Sequence, residues 1–161
     1  MCDHRMSRRR FIGLVPGLAL VAAGCGQQTT GPVEVKWGRE TCDYCGMIID
    51  DRHFAAQVRG GPGRKVFKFD DIGDAALFLA KQDWGAEAAT EFWVGALDGD
   101  QWLDGAKAFY VGGLRTPMAH GFGAVSAYRD GALDFGGFKA AILAKGSTSR
   151  CEPTTVKTGE G

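Results

Sequence analysis

Hydrophobic and polar positions alternate along Val33–Trp37 and Lys65–Phe69, a period of two that predicts half-buried strands. His53 to Arg59 is apolar and rich in strand-forming residues, and Gly60-Gly61-Pro62-Gly63 then breaks the run with a turn. After Phe69 the period changes. Ile72, Ala75, Ala76 and Leu79 follow helical spacing, so a helix is predicted from a cap at Asp70 or Asp71 to about Gln82. Glu91 to Leu97 reads as a further strand, closed by Asp98-Gly99. Beyond it, Lys107–Val111 and Gly123–Tyr128 read as strands and Leu133–Phe135 as a short extended piece. Gly137–Lys145 reads as a helix with Phe138, Ala141 and Ile142 on one face.

The pattern predicts an α+β protein, and the second stretch repeats the plan of the first. Met47 can be laid over Met118 and Phe54-Ala55-Ala56 over Val125-Ser126-Ala127. With a shorter turn, Phe69-Asp70 falls on Leu133-Asp134 and Ala76–Leu79 on Ala140–Leu143. The expected architecture is two similar ββαβ-type units, residues 33–97 and 98–145, packed by pseudo-symmetry. The identities in this overlay are few, and chance similarity is the competing reading. Neither unit alone would bury a large core.

The N-terminal pattern differs from the rest. Arg5, Arg8, Arg9 and Arg10 precede an uncharged run from Phe11 to Ala23, the arrangement of a secretory signal. The run is shorter than the roughly 20 residues needed to span a bilayer. Ser7-Arg8-Arg9-Arg10-Phe11-Ile12 resembles the twin-arginine export pattern, with Gly13 where that pattern prefers Lys. Ala22-Ala23-Gly24-Cys25 resembles a lipobox, with Ala22 in place of the usual Leu. Residues 1–24 are therefore expected to be cleaved, and Cys25 to carry lipid. Residues 25–32 would form the anchor and tether. The competing reading is an uncleaved N-terminal anchor. Gly26 is not an acidic retention residue, which favours the outer membrane and a periplasmic location. Residues 146–161, with Cys151, read as a polar, disordered tail.

Composition narrows the function classes. The chain has 161 residues, 45% hydrophobic and 24% charged, which is ordinary globular composition. Lys plus Arg and Asp plus Glu both number 19, so no excess of basic charge supports nucleic-acid binding. Removal of the arginine-rich segment leaves the remainder mildly acidic. No enzyme constellation is evident. Asp50-Asp51 and Asp70-Asp71 are sequence neighbours rather than opposed pairs, and the second reads as a helix cap. Trp84, Trp93 and Trp102 read as core or interface, and the glycine-rich turn lacks the Lys-Ser/Thr and helix of a phosphate loop.

The distinctive chemistry lies in Cys42-Asp43-Tyr44-Cys45-Gly46-Met47. A structural zinc site would want four Cys or His ligands, usually from two paired motifs, and only one pair is present. A redox dithiol would want a helix N-terminus after the motif, whereas Gly46-Met47-Ile48-Ile49 reads as turn and strand. A disulfide, including one to Cys151, is natural in an exported protein. Thiolate together with thioether selects Cu(I). Met118 lies at the repeat-equivalent position in Thr116-Pro117-Met118-Ala119-His120-Gly121. Two such loops facing each other would make a site from Cys45, Met47 and Met118.

Cys-x-x-Cys-Gly-Met, the lipoprotein signal, Phe69-Asp70-Asp71, Trp102-x-Asp104, Ala108-Phe109-Tyr110-Val111 and Pro117-Met118 together resemble the NosL family of copper lipoproteins encoded with nitrous oxide reductase. The resemblance spans about residues 33–145. It implies two homologous ββαβ units, Cu(I) binding, and partnership with nitrous oxide reductase and its copper-site assembly machinery. It carries over Cys45, Met47 and Met118 as ligands, with His120 as the imidazole candidate beside Met118. His53 is its rival, and Cys42 has a less defined role. The expectation is thus a membrane-tethered Cu(I) chaperone, not an enzyme. The alternatives are an extracytoplasmic thiol-disulfide or disulfide-stabilised lipoprotein, and a scaffold that acts without metal.

Overall fold

The computed structural model describes residues 29–146. Cys25, the signal segment and the tail with Cys151 lie outside the described residues. Four strands form an antiparallel sheet in the order β2-β1-β3-β4: β1 Ala56–Gly60, β2 Lys65–Phe69, β3 Glu91–Gly95 and β4 Trp102–Asp104. Helix α1, Ile72–Ala80, connects β2 to β3. β5, Phe109–Val111, and β6, Gly123–Val125, form a separate antiparallel pair, and helix α2, Phe135–Lys145, follows. The protein is therefore α+β, as the hydrophobic pattern predicts. Among the described residues no helix is long and apolar enough to cross a membrane.

The first part of the chain has the ββαβ order β1, β2, α1, β3. The central strand β1 pairs Ala56 with both Phe69 and Val94. The second part is smaller: two three-residue strands, a single bridge from Leu133 to Tyr110, and α2. The parts are joined where Ala96 bridges Ala124 and where α1 packs on α2.

Burial explains why these segments take these forms. Ile72, Ala75 and Ala76 of α1 share one core with Val58, Phe69 and Val94 of the sheet, all within 2% of full burial. Each fully buried Ile or Phe contributes about 1.5–3 kcal/mol. Phe138 of α2 lies flat on Tyr110 of β5, with ring centroids 3.9 Å apart, and the Tyr110 hydroxyl donates to the Gly105 carbonyl at 2.6 Å. Burial raises the Tyr110 phenol far above its ordinary range. Asp71 caps α1 by accepting from Gly73 N, and Asp134 caps α2 by accepting from Gly137 N.

Several boundaries differ from the sequence reading. Val33–Trp37 is not a strand. The buried Gln57 side chain bonds both Val33 N and Val33 O at 2.9 Å, so a side-chain amide takes the place of a strand neighbour. β1 begins at Ala56 because Phe54 N and Ala55 N both turn back to Asp51 O. β6 ends at Val125, and β3 ends at Gly95, after which Leu97 N crosses to Ala124 O at 2.7 Å. Periodicity predicts no strand at β4, whose three residues pair with Trp93–Gly95.

Candidate metal centre

The Cys-x-x-Cys segment is a tight loop before β1. Gly46 N donates to Cys42 O at 3.0 Å, and Cys42 N donates to Met47 O at 2.8 Å. Gly46 has φ +76°, a conformation that glycine adopts freely. Thr41 bridges Ile48, and Asp43 exchanges two hydrogen bonds with the backbone of Lys68 on β2. The loop is thereby fastened beside the start of α1.

Cys42 and Cys45 are both buried, at 4% and 8% exposure, and no disulfide joins them. Each faces a carboxylate at the start of α1, Asp70 just before the Asp71 cap and Asp74 in the first turn. Cys45 Sγ is 3.2 Å from Asp70 Oδ1, and Cys42 Sγ is 3.7 Å from Asp74 Oδ2. One ligand atom from each of Cys42, Cys45, Asp70 and Asp74 lies within 4.8 Å of the others, a spacing that small side-chain shifts would close around one ion. Behind them His120 Nε2 meets Asp74 Oδ1 at 2.8 Å. His120 Nδ1 is buried with no hydrogen-bond partner. The ring lies on Gly73, where a Cβ would come within 2.2 Å of it, so only glycine lets the imidazole sit this close to α1.

Burial sets the protonation of this group. It pushes the Cys42 thiol up to about 11 and raises Cys45 still further. It also raises Asp70 above the usual carboxylate range. At neutral pH both sulfurs therefore carry protons and donate to the carboxylates. A soft cation would displace those protons and take thiolates. The donor set fits such a cation: two sulfurs converge within 4.8 Å of two carboxylates, while His120 lies outside this group and touches it through Asp74. The same burial disfavours disulfide-exchange chemistry, which relies on a lowered thiol pKa.

The other residues proposed from sequence are placed as follows. Met118 is half-buried against the core, and its backbone N donates to Asp71 Oδ2 at 3.0 Å. Met47 is 56% exposed on the rim of the cysteine loop. His53 is engaged apart from the tetrad: its Nδ1 meets Ala96 O at 2.9 Å and its backbone N donates to Asp51. The sequence pattern does not mark Asp70 and Asp74 as site residues; Asp70 reads there only as a candidate helix cap. Asp70 precedes the extended Asp71 cap, so no helical spacing relates it to Asp74 and the sequence carries no signal for the pair.

The sequence matches no protein-family model and no curated protein. Among solved structures, the crystal structure of the copper chaperone NosL from Shewanella denitrificans matches with a TM-score of 0.51, over 71% of this chain and 87% of that one, at 18% identity. The α+β arrangement that brings two buried cysteines against the start of α1 is thus a NosL-like fold.

Proposed function

We propose that this protein is a Cu(I) chaperone, held on the periplasmic face of an envelope membrane by lipid on Cys25, and that it supplies copper for assembly of nitrous oxide reductase. The observation that carries the copper reading is the convergence of Cys42 and Cys45 with Asp70 and Asp74 in a buried group backed by His120. The fold likeness to a copper chaperone supports it. In this reading residues 33–97 and 98–145 are related units, and each contributes one Met-bearing loop to the site.

Copper is cargo here, and the chemistry asked of the chain is hold and release. Cys45 supplies the principal thiolate, and Cys42 is positioned to join it. Met47 and Met118 supply thioethers, which prefer Cu(I) to harder ions. The exposed Met47 on the rim is the donor an approaching partner meets first. His120 adds an imidazole from the second part of the chain. Asp70 and Asp74 hold the thiol protons in the metal-free protein and fix where the sulfurs point. Nothing in this scheme requires bond making in a substrate, so the protein acts as a carrier rather than an enzyme.

Titration of the purified protein with Cu(I) against a competing chelator tests this. About one equivalent should bind, and Cys45→Ser should weaken it at least a hundredfold. Equal affinity in both proteins would remove the copper site. The thiol-disulfide alternative predicts instead a Cys42–Cys45 pair that exchanges readily with glutathione.

A further inference from the structure

Met118 lies on a loop, Thr116–His120, that belongs to no strand or helix, so something outside the loop must fix its place. We propose that Asp71 is the positioning residue for the Met118 side of the metal site. This rests on the reading that Met118 donates to copper.

Asp71 is fully buried, and its carboxylate does two separate tasks. Oδ1 accepts from Gly73 N at 2.8 Å, the ordinary cap of α1. Oδ2 accepts from Thr116 Oγ1 at 2.6 Å and from Met118 N at 3.0 Å, partners 45 and 47 positions away. A cap needs only one acceptor, which serine or asparagine would supply. A carboxylate, which only accepts, can cap with one oxygen and clamp with the other.

Its position gives the clamp meaning. Asp71 lies between Asp70 and Asp74, which face Cys45 and Cys42. One turn of backbone therefore registers both thiols and the Met118 main chain against each other. The loop is held at further points. Thr116 Oγ1 also accepts from Gly121 N at 3.1 Å, and Lys145 Nζ donates to the Ala119 carbonyl. Between Met118 and His120, Ala119 has φ +57°. That left-handed conformation is unfavourable for a residue with a Cβ, and it persists where surrounding bonds over-determine it. Asp71, Thr116 and Lys145 supply those bonds, so release of Asp71 lets the loop relax and the thioether move away.

Asp71→Asn separates the two tasks. With the amide oxygen on Gly73 N, the amide nitrogen faces Met118 N–H, donor against donor. The cap survives and the clamp is lost. Cu(I) affinity should be measured by chelator competition, and sulfur neighbours of copper counted by X-ray absorption. Both apply to the full chain, with melting curves to report folding. Asp71→Asn should weaken Cu(I) roughly 10- to 100-fold, the usual cost of losing a group that orients a ligand, and remove one sulfur neighbour. In a Met118→Ala background it should cost little more, because positioning matters only while the thioether is there. Thr116→Val, which keeps the cap intact, should act in the same direction more weakly and carries the test if Asp71→Asn misfolds. Wild-type affinity and sulfur count in Asp71→Asn would overturn the proposal, as would independent effects of Asp71→Asn and Met118→Ala. Should wild type bind copper while Met118→Ala changes nothing, the clamp falls and the copper reading stands. Failure of wild type to bind Cu(I) overturns both.

Discussion

His120 Nε2 and Asp74 Oδ1 lie 2.8 Å apart across 46 positions of sequence, with both side chains fully buried. This contact brings the second part of the chain to the thiol site, since Asp74 also receives Cys42 Sγ through its other oxygen. Asp74 thus links a thiol and an imidazole through one carboxylate.

His120→Ala should have two effects. It leaves a buried carboxylate oxygen without its partner, which costs about 1–3 kcal/mol, readable as a lower denaturation midpoint. It should also lower Cu(I) affinity. A loss of stability with affinity unchanged would make His120 a structural partner of Asp74 and not a donor.

The two histidines should behave differently. His53 is occupied by Ala96 O and the Asp51 turn, so His53→Ala should leave Cu(I) affinity within about twofold of wild type, against roughly tenfold or more for His120→Ala. Parallel chelator competitions on the two variants decide the assignment, and a larger loss at His53 would reverse it.

Gly73→Ala should destabilise the protein by about 1–3 kcal/mol, the usual cost of overpacking, because its Cβ would enter the His120 ring. Gly136, in the first turn of α2, meets only an Asp134 oxygen at 3.5 Å, so Gly136→Ala serves as the control with little change. Equal melting temperatures for the two alanine variants would contradict the packing.

Alkaline pH should act oppositely on the metal-free and copper-bound proteins. In the folded protein burial raises the Cys42 thiol from 9.0 to about 11. A raised pKa contributes stability that is full below about pH 9 and is lost as pH climbs through 11, on the order of 2 kcal/mol for this thiol. Copper binding expels the thiol proton, so affinity should rise about tenfold per pH unit for each thiol displaced, up to that range. Denaturation midpoints between pH 7 and 11, with and without Cu(I), test the sign. A flat profile for the metal-free protein would mean that the thiols are not buried as neutral groups.

In the proposed reading, the lipid anchor acts independently of copper binding. Cys25→Ser should move the protein from the membrane to the soluble fraction and leave Cu(I) affinity unchanged. Retention in the membrane would favour an uncleaved anchor through residues 11–23.

The period-two runs at Lys65–Phe69 and Glu91–Gly95 and the helical spacing of Ile72, Ala75, Ala76 and Leu79 were legible because each reflects one buried face. The same holds for the cap at Asp71 and for α2 around Phe138 and Ile142. The convergence of the two cysteines was legible because three-residue spacing within a turn brings two sulfurs together by local geometry, while the choice between zinc, redox, disulfide and soft-metal chemistry stayed open. The sequence could not show that Asp70 and Asp74 face those sulfurs, because which flank of a helix start meets a distant loop depends on how α1 lies on the sheet. Nor could it show that Val33 pairs with a Gln57 side chain, that β4 forms from three residues beside β3, or that Asp71 reaches Met118. Local periodicity records which side of an element is buried. The burial that neutralises the thiols, and the partners opposite Asp70, Asp71 and Asp74, come from contacts between segments far apart in the chain, and only the tertiary structure decides those.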